Sequence, residues 1–468
     1  MKKIIIMLCI AVLFALSACS QQTDDAELKE TEYEYEYTEW LPTSEPDTEA
    51  AMTARPRQPS PLEGVQLAGR TREGFLQDFD YMMWVLEDNF PYFGVIYRRH
   101  GVDMREKAAL TRGIIADESV YIDSQIFFDI VMENFFAHGH GVGHLSLVSG
   151  EMYHHRRELL TTPRFGFAGD PLVHPNGWAI TSPASVEFYG EEFHMSIDEI
   201  IAMQSGNEEN LRLEILEEGS VAYLRIATMN FTGGNANNDV VRILEIYDKI
   251  EEFEHLIIDI RGNRGGAGLF ELLILMPNII NQIEVPYGYF YMAGGHNVRV
   301  ISYFDWFNNL ANPMFHFESV ALDNLDRFPY LNEDDMQLFD YALSVIQILP
   351  NMPLAQPATG VVADPFSGKI WILIDEYVFS AADNAAFVSR YSGVITIVGA
   401  QSGGVYSGPE PVWISLPNSG IIFRYDAIYL TDQYGRGRNE HPVMPHYLNR
   451  PSMDALETAL ALIAEGNY

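Results

Sequence analysis

Ser380 is the residue on which chemistry would turn. It lies in WILIDEYVFSAADNAAF, Trp371 to Phe387. The apolar run Ile372–Ile374 predicts a buried strand, and Asp375 and Glu376 break it. Small residues follow the serine, as they do where hydrolases present a nucleophile on a strand-to-helix turn. A serine near a helix start is also a common N-cap, so residue type alone leaves both readings open. An upstream segment bears on the choice. IDIRGNRGGAG, Ile258 to Gly268, ends a strand in a glycine-rich turn whose backbone N–H groups could face an anion. Its spacing is neither G-x-G-x-x-G nor G-x-x-x-x-G-K-[ST], which argues against a nucleotide phosphate. A plain tight turn and an oxyanion site both remain as readings.

The two segments together, D-x-R-x-N-x-G-G after one strand and S-A-x-D after a later one, resemble the C-terminal-processing (tail-specific) peptidases and their relative, the tricorn core protease. Asp259, Arg261, Asn263, Gly265 and Gly266 fit the first motif, and Ser380, Ala381 and Asp383 fit the second. The resemblance spans residues 68 to 468. It implies an α/β fold with a ClpP/crotonase-like core and an N-terminal helical domain. It further implies Ser380 as nucleophile, with the N–H of Ala381 and of Gly265 or Gly266 as oxyanion donors.

The chain departs from the tail-specific pattern at the base. Those peptidases carry a lysine on the strand after the nucleophile helix, at a position that falls here on Val405. No lysine follows Lys369. Lys369 itself stands at the start of the strand feeding Ser380, roughly 30 Å away along an extended chain. Histidine is the usual alternative near neutral pH. Among 13 histidines, His138, His140 and His144 cluster in AHGHGVGHLSLV. The tricorn branch uses a histidine just ahead of a strand, and Gly143–Leu147 resembles that segment, with Val142 where an aspartate is common. The resemblance therefore implies His144 as base, with His441 and His446 as rivals. It implies Glu440 as the acceptor steadying the imidazole, although Pro442 and His446 replace the family's glycine and aspartate. The H-x-H-x-x-x-H spacing could also suit zinc, but no carboxylate or cysteine lies close in sequence. No metal and no cofactor is expected.

Elements must bring these residues together. FLQDFDYMMWVLEDNF and SQIFFDIVMENFFAHG have helical apolar spacing, with Pro91 ending the first and Ser124 a plausible N-cap for the second. WAITS, LRLEIL and VAYLRIAT predict short strands, and residues 238–253 a helix. HLIID, KIWILID, VITIVG and IIFRYDAIYL predict further strands, and SMDALETALALIAE a capped closing helix. Strands alternating with helices predict a mostly parallel sheet. Residues 290–360, rich in Phe, Tyr and Asn, suggest an irregular insertion or lid. No segment of residues 160–215 is long enough for a peptide-binding PDZ domain.

The N-terminus reads as an export signal. Lys2 and Lys3 precede an apolar stretch, and Leu16-Ser17-Ala18-Cys19 resembles a bacterial lipobox that would leave Cys19 lipidated. The other cysteine, Cys9, falls within that signal, so the mature chain has no disulfide to rely on. Eleven acids against one lysine between Gln21 and Ala50 predict a disordered tether. The expected organisation is thus a signal peptide at 1–19, a tether at 20–66, a helical domain at 67–160 and a peptidase domain at 161–468. A net charge of −36 argues against nucleic acid and against a basic membrane-binding face. The expected function is a serine peptidase acting on peptide or protein substrates. It would sit in the bacterial cell envelope, attached to the membrane through its N-terminal lipid alone. The alternative is a non-catalytic binding protein on the same scaffold. Oligomeric state is not legible.

Overall fold

The computed structural model describes residues 59–161, 174, 176–192, 210–230, 236–266, 283–298, 315–349, 355–356, 361–362, 366–405 and 410–466. The expected signal, most of the expected tether and the segment after the glycine turn lie outside these residues.

The chain folds as a helical front packed on an α/β core. Four helices, Arg72–Asn89, Phe93–His100, Met104–Ala116 and Ser124–Asn134, make the front. Their starts are set by side chains that satisfy orphan amides. Thr71 accepts the N–H of Gly74, Asp103 those of Arg105 and Glu106, and Asp123 that of Ile126. The cap of the last helix is therefore Asp123, and Ser124 is its first residue. Apolar faces then meet. Phe75 stacks on Phe127 with ring centroids 4.7 Å apart, and Phe79 sits edge-on to Phe135. Each fully buried Phe contributes about 2 kcal/mol of burial free energy.

The core is a six-stranded sheet. Its order is Tyr447–Leu448, Ile395–Gly399, Lys369–Ile374, His255–Asp259, Val221–Ile226 and Leu211–Glu217. All neighbours run parallel except the last pair, which is antiparallel. His255–Asp259 is buried throughout, as expected of a central parallel strand covered on both faces. One face packs against the helices Ala236–Lys249 and Ala381–Ser392. The other packs against the closing helix Ala455–Glu465. That helix starts with a reciprocal capping box between Asp454 and Glu457.

Three expectations need correction. WAITS is helical: Gly177–Ile180 forms one turn and Pro183–Glu192 a second helix. Pro183 at a first helical position and the small Ala184 and Ser185 suit that state, and five residues carry too little periodicity to exclude it. Part of 290–360 is regular. Ile283–Tyr291, Tyr341–Leu349, Phe315–Ser319 and Ile428–Asp432 form a four-stranded antiparallel sheet. Tyr341–Leu349 alternates burial only imperfectly, which hides its period. Finally, IIFRYDAIYL is two strands, Ile422–Tyr425 and Ile428–Asp432, which lie in different sheets. The bend between them is Asp426-Ala427.

Helical front and core are joined by buried polar contacts. Tyr92 stacks on Tyr429, and its hydroxyl donates to the carbonyl of Ile428 at 2.6 Å. Asp78, buried in the first helix, accepts the backbone N–H groups of Asn418 and Ser419. Burial raises its pKa, offset in part by hydrogen bonds from Ser419 and Asn418.

Candidate active site

Adjacent parallel strands carry the two motif segments at their C-terminal ends, where α/β sheets place ligands. His255–Asp259 leads into the glycine turn, and Lys369–Ile374 into the turn before Ser380. The turns are tied together. Gly262 donates its N–H to Asp375 Oδ1 at 2.9 Å, and Phe379 donates to the carbonyl of Asn263 at 3.1 Å. Beneath them Asp259, 2% exposed, holds Arg261 and accepts the Tyr223 hydroxyl at 2.7 Å. Burial, then the bond to Asp259, pushes the Tyr223 pKa up to about 12. For Arg261, the bond to Asp259 is the main cause of a raised pKa.

Ser380 precedes the helix Ala381–Ser392 in an N-cap position, yet its side chain makes no capping hydrogen bond. Its φ of 56° and ψ of −124° lie outside the ordinary regions for a residue with a Cβ. Such strain persists where surrounding contacts over-determine it. Here Ser380 N–H donates to the Gly404 carbonyl at 3.2 Å, and its carbonyl accepts from Asn384 at 3.0 Å. The hydroxyl is left to face His144.

His144 Nε2 lies 3.1 Å from Ser380 Oγ. Its Nδ1 lies 2.8 Å from Asp426 Oδ2. A carboxylate oxygen accepts, so Nδ1 carries the proton and Nε2 turns its lone pair to the serine hydroxyl. His144 and Asp426 side chains are 10% and 5% exposed, so the bond is largely shielded from water. His144 itself takes φ 49° after Gly143 at φ 60°. A Cβ on Gly143 would stand 2.7 Å from atoms of Phe90 and Tyr92, so the loop approaches that close only as glycine.

Asp426, not Glu440, is the acceptor beside the imidazole. Glu440 instead receives Arg98 Nε and Nη2, each at 2.8 Å. Arg98 also holds the buried Asp335, with Nη2 to Oδ2 at 2.6 Å. Burial lowers the Arg98 pKa, but the bonds to Glu440 and Asp335 outweigh it and the net shift is upward. Burial is the leading cause of the upward shift at Asp335. A guanidinium offers a carboxylate two parallel charged bonds, which an imidazole cannot match. The signal for Asp426 was a single carboxylate between two apolar runs in IIFRYDAIYL.

The expected oxyanion donors divide. Gly265 donates its N–H to Asn263 Oδ1 at 2.9 Å, so that amide is already engaged. The amides of Gly266 and Ala381 have no hydrogen-bond acceptor among the described residues. The role of Gly265 is steric. With φ 89°, a Cβ there would lie 2.8 Å from Ala381 N and 2.9 Å from Ser380 Cβ, filling the space before the Ala381 amide. Gly266 packs as tightly on Met229: a Cβ there would stand 2.4 Å from the Met229 carbonyl carbon.

The rival histidines lie elsewhere. His446 Nδ1 accepts the Ile397 N–H at 2.9 Å, and His441 is exposed. His140 stacks on His100 at 4.1 Å, apart from the His144 ring. Asp383, matched to the second motif, is fully buried against Arg438 and Ser402. Val405, where a lysine base would fall, is buried with φ 66°. Cys19 lies outside the described residues.

No protein-family model matches the sequence, and no curated protein does. Solved structures do. Mature CPAF matches with a TM-score of 0.50 at 13% identity, over 85% of this chain and 98% of that one. The chain shares its fold. Mature CPAF complexed with lactacystin gives 0.48 at 13% identity, over 84% and 97% of the two chains. The photosystem II D1 C-terminal processing protease gives 0.30 at 14%, over 50% and 43%. An α/β core with a helical N-terminal region fits the C-terminal-processing peptidase family that the paired motifs resemble.

Proposed function

We propose that this protein is a serine peptidase working through Ser380, His144 and Asp426. The observation that carries the reading is the line of hydrogen bonds Ser380 Oγ–His144 Nε2–His144 Nδ1–Asp426 Oδ2. The match to mature CPAF supports the scaffold.

On this reading Ser380 Oγ attacks a substrate peptide carbonyl carbon while its proton passes to His144 Nε2. Asp426 holds the imidazolium that forms. The amides of Ala381 and Gly266, which have no acceptor among the described residues, would receive the negative carbonyl oxygen. His144 returns the proton to the leaving amine, the C–N bond breaks and an ester to Ser380 remains. Water, deprotonated by the same imidazole, then attacks the ester and frees Ser380. The geometry is that of an assembled histidine-activated serine, which favours catalysis over a binding scaffold that has lost its chemistry.

We infer an exported chain anchored through a lipid on Cys19, with the acidic residues 20–66 as tether. Among the described residues no helix is long and apolar enough to cross a membrane.

The test is labelling of residues 59–468 with a fluorophosphonate, followed by turnover of a peptide library. Labelling that Ser380→Ala abolishes, with peptide-bond cleavage, supports the proposal. A folded wild type that neither labels nor cleaves would sink it. Ester turnover without peptide cleavage would reassign the substrate class.

A further inference from the structure

The three consecutive residues Arg438, Asn439 and Glu440 send their side chains to three different parts of the site. Arg438, 1% exposed, reaches the nucleophile helix. It pairs with Asp383 in the first turn after Ser380, and its guanidinium carbon lies 3.6 Å from the centre of the Phe387 ring. Asn439 is fully buried and reaches the base loop, where its Oδ1 accepts the Gly143 N–H at 2.9 Å. Glu440 reaches the helical front, pairing with Arg98 on Phe93–His100. Neighbouring Arg99 donates to the Asn439 carbonyl.

We propose that Arg438–Asn439–Glu440 is the positioning element that sets His144 against Ser380, with Asn439 as its decisive member. The proposal rests on the serine-hydrolase reading above. Nucleophile and base stand on separate stretches of chain, so neither local geometry fixes the distance between them. Gly143 is the residue directly before His144, and its peptide groups are held on two sides. Asn439 takes its N–H, while its carbonyl accepts the Asp426 N–H at 2.7 Å. Gly143 takes a positive φ freely, but His144, which carries a Cβ, also has φ 49°, a conformation that external bonds must maintain. Asn439 is the external bond on the N–H side, and Arg438 fastens that same backbone to the helix bearing Ser380.

A merely structural residue and a positioning residue part company on an isosteric replacement. Asn439→Asp keeps an acceptor oxygen facing Gly143, whereas Asn439→Ala removes it. The rate of fluorophosphonate labelling would be followed against pH for wild type and both variants, with thermal midpoints as the folding control. Misplacement of a reacting group by about 1 Å costs on the order of 10²-fold. The expected result is a loss of that order for Asn439→Ala in protein that still unfolds cooperatively, a rate within a few-fold of wild type for Asn439→Asp, and a displaced pH profile for the alanine variant alone. A folded Asn439→Ala labelling at the wild-type rate would overturn the proposal. So would equal losses in the two variants.

A second readout separates this proposal from the function on which it rests. The Nδ1 proton shared by His144 and Asp426 would be sought as a downfield NMR resonance. If wild type fails to label, the peptidase reading falls. The positioning claim then stands if the resonance is present in wild type and Asn439→Asp but lost in Asn439→Ala, and fails if all three agree. Should Asn439→Ala not fold, Glu440→Gln keeps the shape and weakens the clamp on Arg98. Slowed labelling with an unmoved midpoint is then expected, and a wild-type rate would refute the clamp.

Discussion

His144 and Asp426 are separated by 282 residues of sequence, yet the imidazole Nδ1 and the carboxylate lie 2.8 Å apart. The contact exists because Asp426 occupies the bend between two strands of different sheets, and because its own N–H is anchored on the Gly143 carbonyl. A carboxylate in this place selects one imidazole tautomer. Asp426→Asn preserves shape but lets its amide N–H donate to Nδ1, favouring the other imidazole tautomer. Its labelling rate should fall by about 10³- to 10⁴-fold. Glu440→Gln, measured beside it, should lose far less. The reverse ranking in stopped-time labelling would return the orienting role to Glu440.

Gly265→Ala tests the space before the Ala381 amide. The new methyl would meet Phe379 O at 2.7 Å, Ala381 N at 2.8 Å and Ser380 Cβ at 2.9 Å, on a backbone at φ 89°. Strain of about 1–3 kcal/mol should appear as a lowered denaturation midpoint. Labelling should fall further than stability predicts, because the amide would be blocked. Full activity in a purified Gly265→Ala protein would show that the oxyanion is held elsewhere.

The Asp259 carboxylate organises the glycine turn from below. Asp259→Ala would strand the Tyr223 hydroxyl and leave the Arg261 guanidinium with Asp454 as its only carboxylate among the described residues. Arg261 remains partly exposed, so the loss should be about 3 kcal/mol, at the low end for breaking a buried ion pair. Urea unfolding at neutral pH would measure it, and a change under 1 kcal/mol would argue that the turn holds its shape without this anchor.

The closing helix offers a pH-dependent check. Burial alone would raise the Asp454 pKa, but the Glu457 N–H and Arg261 lower it below the ordinary 3.8. The folded state therefore binds this proton less readily than the unfolded one. The associated stability is present above pH 3.8 and is lost as pH falls toward and through the lower folded value. Asp454→Ala should cost about 1 kcal/mol at pH 7, a cost that shrinks below pH 3.8. A pH-independent difference would mean that the carboxylate charge is not what caps the helix.

What the sequence revealed divides along physical lines. Ser380 and the glycine turn were legible because close packing forces small residues at fixed spacing, as at Gly265, Gly266 and Ala381. The parallel strands were legible because burial on both faces makes His255–Asp259 and Lys369–Ile374 continuous apolar runs. His144 was legible through a short loop segment. Asp426 was not, because the bond that defines its role crosses most of the chain and leaves no local period. Glu440 carried a motif position, but an Arg98 contributed by a distant helix claims it. The sheet strand Tyr341–Leu349 was missed for a related reason, since it buries polar Gln347 and exposes apolar Ile346, which breaks the apolar period of two.

The separation of Ser380 from His144 by 236 positions also governs when the chemistry comes into being. A chain synthesised from its N-terminus presents the imidazole early, with neither hydroxyl partner nor carboxylate beside it. The strained turn at Ser380 and the bend at Asp426 emerge only near the end. Until the last strands pair, no part of the molecule holds the whole set. The order of the residues along the chain thus delays assembly of the set until nearly all of it has been made.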